Sequence, residues 1–451
     1  MIRRLFTALF RLVLRIFFGR IEIAGLEHVP PQGPVMFVLN HPNALIDPGL
    51  MLCLAPRRVS FLAKSTLFSM PVVSAIVKGF DSLPVYRRSD EGVDPSKNRQ
   101  TFEQARNLLA RGGSLAIFPE GTSHSDPTMR RLKTGAARLA LGAAALQSPQ
   151  APRFRIVPAG LYYTRKTTFR SAALVQYAAP IEVDPVELDA EFEPPPEAVR
   201  ALTDRIRDAL EDVTLQAEHG EVLQLIERAE AILSAADEDG TGSLSAEFGL
   251  KRRLLAGYRA LKTHHPGRLE AVTRRMSKYE SRVRALGLDV EHLSPEDFSP
   301  GSVTSYALRS LLFTVVLGPL AIVGTVTHYP AYLLVDCIAG RLSRGVDDML
   351  ATIKVLSAML FFLLTWVAIG AALFLLLPWW WALGLTPIAP LTGYAALLFQ
   401  ERFDRAIDAA RGLWVFLTRR QELDRLHRER EAIRREVVGL GELTGVAGDP
   451  V

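Results

Sequence analysis

Short apolar runs alternate with helical stretches between residues 21 and 183, and this alternation predicts an α/β domain. Apolar positions recur with helical spacing over Lys97–Arg111 and Leu132–Ala145. Six other runs have the length and composition of strands: Val35–Leu39, Val59–Leu62, Ser82–Tyr86, Ser114–Phe118, Ile156–Tyr162 and Ala173–Tyr177. Because strands that alternate with helices pack as one layered unit, we expect a mixed sheet flanked by helices.

The first twenty residues are apolar but interrupted by arginines. Arg4, Arg11 and Arg15 follow one another at intervals of seven and four, so they share one face of a helix. This pattern predicts an interfacial membrane helix over residues 1–20. An ordinary core helix is the alternative, because large apolar residues cover the other face.

Apolar stretches dominate residues 301–400 and predict a helical, membrane-embedded region. The stretch Val355–Leu377 is long enough to span a bilayer, and Trp379–Trp381 fits an interfacial aromatic belt. Leu311–Ala339 is too short for two spans, so we expect a re-entrant or shallow hairpin that turns near His328–Pro330. A packed soluble bundle is the alternative, but Leu360–Leu377 carries no charge.

Basic residues flank these stretches on every side. Since cytoplasmic segments are enriched in Lys and Arg, we expect an integral membrane protein with its N-terminal domain on the cytoplasmic face. The flanking residues are Arg282, Arg284, Arg309, Arg341, Arg344, Lys354, Arg402, Arg405, Arg419 and Arg420.

The patterns divide the chain into five segments. An α/β domain over 21–215 follows the helix of residues 1–20, and it ends in an amphipathic helix over Val199–His219. A charged helical region over 216–300, the membrane-embedded region over 301–400 and a charged cytoplasmic tail helix over 401–451 complete the chain.

Composition narrows the class of partner. The 451 residues are 49% hydrophobic with a net charge of +5, and the basic residues are spread along the chain. This suits membrane lipids and phosphorylated substrates better than nucleic acid, for which no motif occurs. Cys53 and Cys337 lie far apart without His or Cys neighbours at metal spacing, so no metal site is indicated.

One segment imitates a calcium-binding loop. Asp237–Leu244 follows the first eight positions of that loop, but the twelfth position holds Phe248, with Glu247 one place early. Because Gly, Asp and Ser also cluster in turns, a polar turn between two helices is favoured.

Two polar motifs follow predicted strands and carry the candidate chemistry. Asn40–Asp47 places an aspartate after His41 with five residues between them, which has the parts of a base and its orienting group. Asp47 followed by Pro48 is also a good helix start, so a capping role is the alternative. The second motif, Phe118–His124, reads alone as a turn that ends a strand.

Four blocks of this sequence resemble, in order and spacing, those of the glycerol-3-phosphate and 1-acylglycerol-3-phosphate (lysophosphatidate) acyltransferase superfamily. The resemblance covers about residues 20–215, and the blocks are Asn40–Asp47, Lys64–Phe68 with Gly79–Arg87, Phe118–His124 and Ile156–Gly160. Two features depart from the common pattern: five residues instead of four separate His41 from Asp47, and Ser123–His124 replaces an arginine. Both variants are similar to those of fungal glycerol-3-phosphate and dihydroxyacetone-phosphate acyltransferases.

The resemblance implies transfer of a fatty acyl chain in phospholipid biosynthesis. His41 would be the general base for an acceptor hydroxyl, and Asp47 would orient its ring and stabilise the imidazolium. The acyl donor would be acyl-CoA or acyl-carrier protein, with no cofactor and no metal. Glycerol 3-phosphate, dihydroxyacetone phosphate and 1-acylglycerol 3-phosphate remain open as acceptors.

Cations for the acceptor phosphate are also implied. Arg87 matches the arginine of the second block, and Lys64 and Lys133 are the next candidates, ahead of Arg88, Arg130 and Arg131. The third block would help to bind the acceptor through Glu120, Gly121, Thr122, Ser123 and His124.

Two other classes of function compete with this one. A non-catalytic membrane-shaping or scaffold protein can retain such a fold, although the intact His41 and Asp47 argue against it. A hydrolase with a Ser or Cys nucleophile is the second rival, and it is disfavoured because no Gly-x-Ser-x-Gly elbow occurs.

Overall fold

The computed structural model describes residues 2–86, 94–148, 150–234, 242–288, 300–343 and 347–443. The chain forms two compact units. We call residues 1–216 with 339–355 the sheet unit, and residues 217–338 with 356–451 the helical unit.

The sheet unit contains a mixed sheet, which confirms the predicted fold class. Its strands are β1 (Arg20–Ala24), β2 (Val35–Leu39), β3 (Ser60–Lys64), β4 (Leu83–Val85), β5 (Ser114–Ile117), β6 (Phe154–Tyr163), β7 (Ala172–Tyr177) and β8 (Ile181–Val183). They are ordered β1-β7-β6-β2-β5-β3-β4, and β8 pairs with the start of β6. Strands β2 to β7 correspond to the six predicted strands, whereas the pattern did not predict β1 and β8.

Strand β2 is the buried centre of this sheet. All five of its residues are buried, and its two neighbours, β5 and β6, are both parallel to it. Met36 and Val38 enter one hydrophobic core, while Val35, Phe37 and Leu39 enter another. Because successive side chains of a strand point to opposite faces, both faces of the sheet are covered.

Helices cover the sheet on both faces. Helix α5 packs its small residues against the same core as the buried residues of α6, which include Leu202 and Ile206. The helices of this part of the chain are α1 (Ile2–Phe17), α2 (Ile46–Leu54), α3 (Pro71–Gly79), α4 (Asn98–Ala110), α5 (Gly135–Ala145) and α6 (Pro196–Glu211).

Helix α1 packs against α2 on one face. The ring of Phe10 lies where a side chain at Gly49 would be, 2.1 Å from the position of a Cβ atom, and Leu14 is fully buried. Arg11 donates a hydrogen bond of 2.5 Å to the carbonyl oxygen of Cys53. Leu9 and Leu12 remain exposed, so the helix retains an open apolar edge, and its interfacial role stays a prediction.

The remaining helices follow α6 along the chain. Asp237–Thr241, the first part of the calcium-like segment, lies outside the described residues, and α8 begins at Leu244, the last residue of that segment. The helices are α7 (Gly220–Ser234), α8 (Leu244–His264), α9 (Pro266–Ala285), α10 (Pro300–Leu342), α11 (Asp347–Leu376), α12 (Trp379–Leu385), α13 (Ile388–Thr418) and α14 (Arg420–Leu443).

Helix α10 runs without a break through His328–Pro330, so the predicted hairpin is wrong. A continuous helix pairs its backbone groups internally, whereas a turn in an apolar environment leaves them without partners, and helices in such surroundings tolerate proline. Within the described residues, three segments are long and apolar enough to cross a membrane: Leu312–Leu342, Met349–Leu376 and Trp379–Asp404.

Candidate active site

The motifs meet at one edge of the sheet. Strands β2, β5, β3 and β4 are parallel neighbours, so their carboxyl ends lie on the same side. Asn40–Asp47 follows β2, and Phe118–His124 follows β5. Lys64 ends β3 opposite Val85 of β4. Arg87 and Arg88, two residues and more beyond β4, lie outside the described residues.

His41 and Asp47 form a hydrogen-bonded pair. The Nδ1 atom of His41 lies 2.8 Å from Oδ2 of Asp47, whose side chain is fully buried. Because the carboxylate accepts, Nδ1 carries a proton, and the Nε2 atom of a neutral ring is then the acceptor. Nε2 makes no hydrogen bond within the part of the chain that the structure describes. It is the atom that a substrate hydroxyl would meet.

The ring of His41 is held from two sides. It stacks on the ring of Phe118 at a centroid distance of 3.9 Å and an angle of 11°, while Asp47 fixes its Nδ1 edge. The side chain of His41 is 13% exposed, which leaves an opening for a substrate group. A base that is oriented and still accessible suits proton transfer.

The five residues between His41 and Asp47 include a tight turn just before α2. Ala44 has a φ of +21°, and the amides of Ile46 and Asp47 both donate to the carbonyl oxygen of Asn43. The cap position of α2 is Leu45, and Asp47 lies inside the helix. The carboxylate of Asp47 instead accepts from the backbone amide of Asn43 at 2.7 Å. With this turn, the carboxylate of Asp47 lies within hydrogen-bonding distance of His41 although five residues separate the two.

A tyrosine that the sequence did not indicate also binds Asp47. Tyr163, the last residue of β6, donates from its hydroxyl to Oδ1 of Asp47 at 2.5 Å. Burial, together with the charge of Asp47, raises the pKa of Tyr163 well above its usual value. The hydroxyl therefore stays protonated and acts as a donor.

The amide of Asn40 fixes the strand that brings Tyr163 to the site. Its Nδ2 donates to the carbonyl oxygen of Leu161 at 3.0 Å, and its Oδ1 accepts from the amide of Leu161 at 2.7 Å. The side chain thus continues the pairing of β2 with β6 past the end of β2.

The third block supports the His41 loop from behind. Glu120 is 3% exposed; its Oε1 accepts from the backbone amide of His41 at 3.2 Å, and its Oε2 accepts from that of Arg130 at 2.9 Å. The same Oε2 is hydrogen-bonded to Nε2 of His124. The amide of His124 donates to the carbonyl oxygen of His41 at 3.1 Å. Glu120 and His124 are therefore committed to internal contacts.

Both ring nitrogens of His124 are in use. While Nε2 meets Glu120, Nδ1 accepts from the backbone amide of Asp126 at 3.2 Å. Nδ1 also lies 3.6 Å from Oδ2 of Asp126. Both ring nitrogens therefore face internal partners, whereas the resemblance expects an arginine at this position.

Lys133 and Gly121, predicted separately, lie in contact. Gly121 has a φ of +77°, and a Cβ atom there would lie 2.5 Å from Nζ of Lys133. The backbone amide of Lys133 donates to the carbonyl oxygen of Pro119 at 2.8 Å. The hydroxyl of Thr122 donates to the carbonyl oxygen of Ser123 at 3.4 Å. The turn thus places a lysine beside the glycine.

Lys166 is a second residue that the sequence did not indicate. Its Nζ donates to the carbonyl oxygen of Pro42 at 3.2 Å and to the hydroxyl of Ser125 at 2.5 Å, so it bridges the two motif loops. Its own carbonyl oxygen accepts from the side-chain amide of Asn43 at 3.3 Å. The loop after β6 therefore places a cation next to His41.

The His41 loop is also tied to the start of α11. The backbone amide of Leu45 donates to Oγ1 of Thr352 at 3.1 Å, and Thr352 is buried. Thr352 lies in the second segment that is long and apolar enough to cross a membrane.

Within the described ranges, the buried thiol of Cys53 is a poor candidate for a nucleophile. Burial raises the pKa of the Cys53 thiol to about 11, which keeps it a poor nucleophile. No group of three or more His, Cys, Asp or Glu residues there is arranged to hold a metal ion.

Family models match two parts of the chain. Residues 20–161 match the model described as Acyltransferase, which includes both motifs of the candidate site. Residues 238–443 match the model described as Glycerol-3-phosphate acyltransferase 2 C-terminal domain.

Curated relatives agree with these matches. Glycerol-3-phosphate O-acyltransferase 2 of Saccharomyces cerevisiae is 34% identical over 165 residues, 37% of this chain and 22% of the relative. Glycerol-3-phosphate O-acyltransferase 1 of the same yeast is 24% identical over 449 residues, 77% of this chain and 58% of the relative. The chain spans less than two thirds of the length of either relative.

More distant similarities include a plant relative and a solved structure. The chloroplastic 1-acyl-sn-glycerol-3-phosphate acyltransferase LPAT1 of Arabidopsis thaliana is 29% identical over 124 residues, 27% of this chain and 33% of the relative. The crystal structure of the 1-acyl-sn-glycerophosphate acyltransferase PlsC from Thermotoga maritima has a TM-score of 0.34 and 17% identity. That similarity covers 47% of this chain and 79% of PlsC.

Proposed function

We propose that this chain is a membrane-bound O-acyltransferase of phospholipid biosynthesis. The premise is that it carries an Acyltransferase-family domain followed by a glycerol-3-phosphate acyltransferase 2 C-terminal domain. It transfers a fatty acyl chain from a thioester donor to a glycerol-phosphate acceptor. The observation that carries this proposal is the His41–Asp47 pair, in which Nδ1 is bound and Nε2 is open to substrate.

The pair accounts for the chemical step. The acceptor hydroxyl gives its proton to Nε2 of His41 as its oxygen attacks the thioester carbonyl carbon. Asp47 stabilises the imidazolium that forms. When the tetrahedral intermediate collapses, the C–S bond breaks and the imidazolium returns the proton to the departing thiolate. The acceptor hydroxyl is the nucleophile, so no acyl-enzyme forms.

Glycerol 3-phosphate is the acceptor that we favour. The two yeast relatives are named glycerol-3-phosphate O-acyltransferases, and the C-terminal family model carries the same name. We assign the acceptor phosphate to three lysines: Lys166, which contacts Pro42 of the His41 loop, Lys133, which lies beside Gly121, and Lys64, the last residue of β3. Lysine ammonium groups suit a phosphate as point charges. Arg87 remains a further candidate from the sequence.

A second acceptor, 1-acylglycerol 3-phosphate, is supported by a separate observation. Relatives named 1-acyl-sn-glycerol-3-phosphate acyltransferases, among them LPAT1, are also similar to this chain. Both acceptors present a hydroxyl and a phosphate to the same groups, so they differ only in the acyl chain that the second already carries.

We also propose that the sheet unit faces the cytoplasm and that the chain is an integral membrane protein. The donors, acyl-CoA and acyl-carrier protein, are cytoplasmic, and the three apolar segments of α10 to α13 exceed the length that a bilayer core requires. Carbonate washing of membranes is expected to leave the full chain in the pellet. Release of the chain by carbonate would contradict integral attachment.

The decisive experiment supplies the purified full chain in lipid nanodiscs with labelled acyl-CoA and one acceptor at a time. We expect transfer to glycerol 3-phosphate, weaker transfer to 1-acylglycerol 3-phosphate, and none in the His41→Ala control. Acyl-carrier protein charged with the same chain tests the second donor. If a folded chain transfers nothing from either donor to any acceptor, including dihydroxyacetone phosphate, the non-catalytic scaffold is the better hypothesis.

A further inference from the structure

The carboxylate of Asp47 is held by three donors within the described residues. Oδ2 accepts from Nδ1 of His41 at 2.8 Å and from the backbone amide of Asn43 at 2.7 Å. Oδ1 accepts from the hydroxyl of Tyr163 at 2.5 Å. All three groups donate, so both oxygens of this fully buried carboxylate accept hydrogen bonds.

The three contacts do not divide evenly between the two oxygens. His41 and Asn43 share Oδ2, so Tyr163 is the group that holds Oδ1. A carboxylate rotates readily about its Cβ–Cγ bond, because that torsion has broad minima. Without a partner for Oδ1 in a buried site, the plane of the carboxylate would turn towards any other donor, and Oδ2 would leave the axis of the His41 hydrogen bond.

Tyr163 itself is rigidly placed. It ends β6, whose backbone is bound at Leu161 by the side chain of Asn40, and its ring stacks on Phe18 at 5.6 Å and 29°. The residue that approaches Asp47 is therefore supported by the sheet and by Phe18, the residue that follows α1. A hydroxyl with so little freedom can define the direction of its acceptor.

We infer that Tyr163 is a positioning residue for acyl transfer, which sets the orientation of the Asp47 carboxylate and through it the ring of His41. The inference rests on the proposed function, because it assigns Tyr163 to the base of that reaction. Because we assign Tyr163 to Asp47 rather than to the substrates, we expect its loss to affect the chemical step rather than binding.

The matched pair of variants is Tyr163→Phe and Tyr177→Phe. Each removes one hydroxyl from neighbouring strands, but the hydroxyl of Tyr177 contacts the sulfur atom of Met51 and not Asp47. We expect Tyr163→Phe to lower kcat about tenfold or more, a part of the roughly 10²–10⁴-fold that a general base provides. The KM values for acceptor and donor should change little. Tyr177→Phe should retain the kcat of the unmodified chain.

A double variant separates positioning from general loss of structure. In the Asp47→Asn background, Tyr163→Phe should cause no further fall in kcat, because the residue through which it acts is already removed. A second full tenfold loss in that background would overturn the inference.

A spectroscopic measurement gives an answer without turnover. The proton between Nδ1 of His41 and Asp47 is expected to give a downfield proton NMR signal that is absent in His41→Ala. We expect the signal to shift in Tyr163→Phe and to be unchanged in Tyr177→Phe. An unchanged signal with unchanged kcat in Tyr163→Phe would refute the role of Tyr163 and leave acyl transfer intact. Absence of transfer in the unmodified chain would refute the proposed function, and the signal would still report on Tyr163.

Discussion

Two histidine–carboxylate pairs lie in the same site, and their hydrogen bonds differ. His41 binds Asp47 through Nδ1, and His124 binds Glu120 through Nε2. Their burial is similar, since the side chains of His41 and His124 are 13% and 8% exposed. Burial therefore does not distinguish the histidine that we propose as general base from the one whose two nitrogens meet internal partners.

The use of the second ring nitrogen does distinguish them. Nδ1 of His124 accepts a hydrogen bond from the backbone amide of Asp126, whereas Nε2 of His41 has no partner in the described ranges. The carboxylates differ in the same way. Asp47 orients an imidazole, while Glu120 also binds the backbone amides of His41 and Arg130. One pair is equipped for proton transfer, and the other builds the loop that presents it.

Of four variants of these pairs, His41→Ala should cause the largest loss of kcat. Loss of the base is expected to lower kcat by roughly 10²–10⁴-fold while membrane attachment and folding are retained, because only a proton-transfer group is removed. Measurement of kcat with saturating donor and acceptor, alongside a thermal unfolding curve, checks this. Activity within about tenfold of the unmodified chain would exclude His41 as a general base.

Asp47→Asn is the next largest expected change. The amide has one acceptor oxygen, so at least one of the three donors around Asp47 would meet an NH₂ group. We expect kcat to fall by about 10²-fold or more, since the ring of His41 loses its orienting charge. If the variant lost only stability and kept its kcat, Asp47 would be a structural residue of the turn before α2.

Much of this site follows from the sequence because its parts are local. The runs that became β2 and β5 are short, apolar and buried, and the polar motifs follow them directly. By contrast, β1 mixes charged and apolar residues and β8 has only three residues, so neither has a clear strand pattern. Parallel pairing then brings the motifs to one edge without further information.

Tyr163 and Lys166 lie beyond such reasoning because their contacts depend on register. Strand β6 pairs with β2 as far as Ala159 and then continues for four residues past it. That overhang brings Tyr163 to Asp47 across 116 positions of the sequence. Local sequence patterns do not show how many residues one strand extends beyond the end of its neighbour. The hairpin prediction for α10 failed differently, because a proline in an apolar stretch does not by itself mark a turn.

Glu120→Gln tests the structural side of the comparison. Glu120 is buried and binds two backbone amides and the ring of His124, so its amide analogue would place NH₂ against a donor. We expect the free energy of unfolding to fall by about 1–3 kcal/mol, the usual cost of a buried polar group left without its partner. Chemical denaturation measures this change. A fall in kcat as large as that of His41→Ala, with stability unchanged, would instead place Glu120 in the chemistry.

His124→Gln should have the smallest effect of the four variants. It tests directly whether His124 is structural or binds the acceptor. Glutamine can still donate to Glu120, but it cannot at the same time replace the acceptor that Nδ1 offers to Asp126. One backbone hydrogen bond is therefore lost, worth about 1 kcal/mol of stability, and kcat should change less than tenfold. If the variant instead raised the KM for the acceptor alone, with kcat and stability retained, His124 would bind the acceptor phosphate. The inward conformation seen here would then be one that the substrate displaces, and the two pairs would both belong to the reaction.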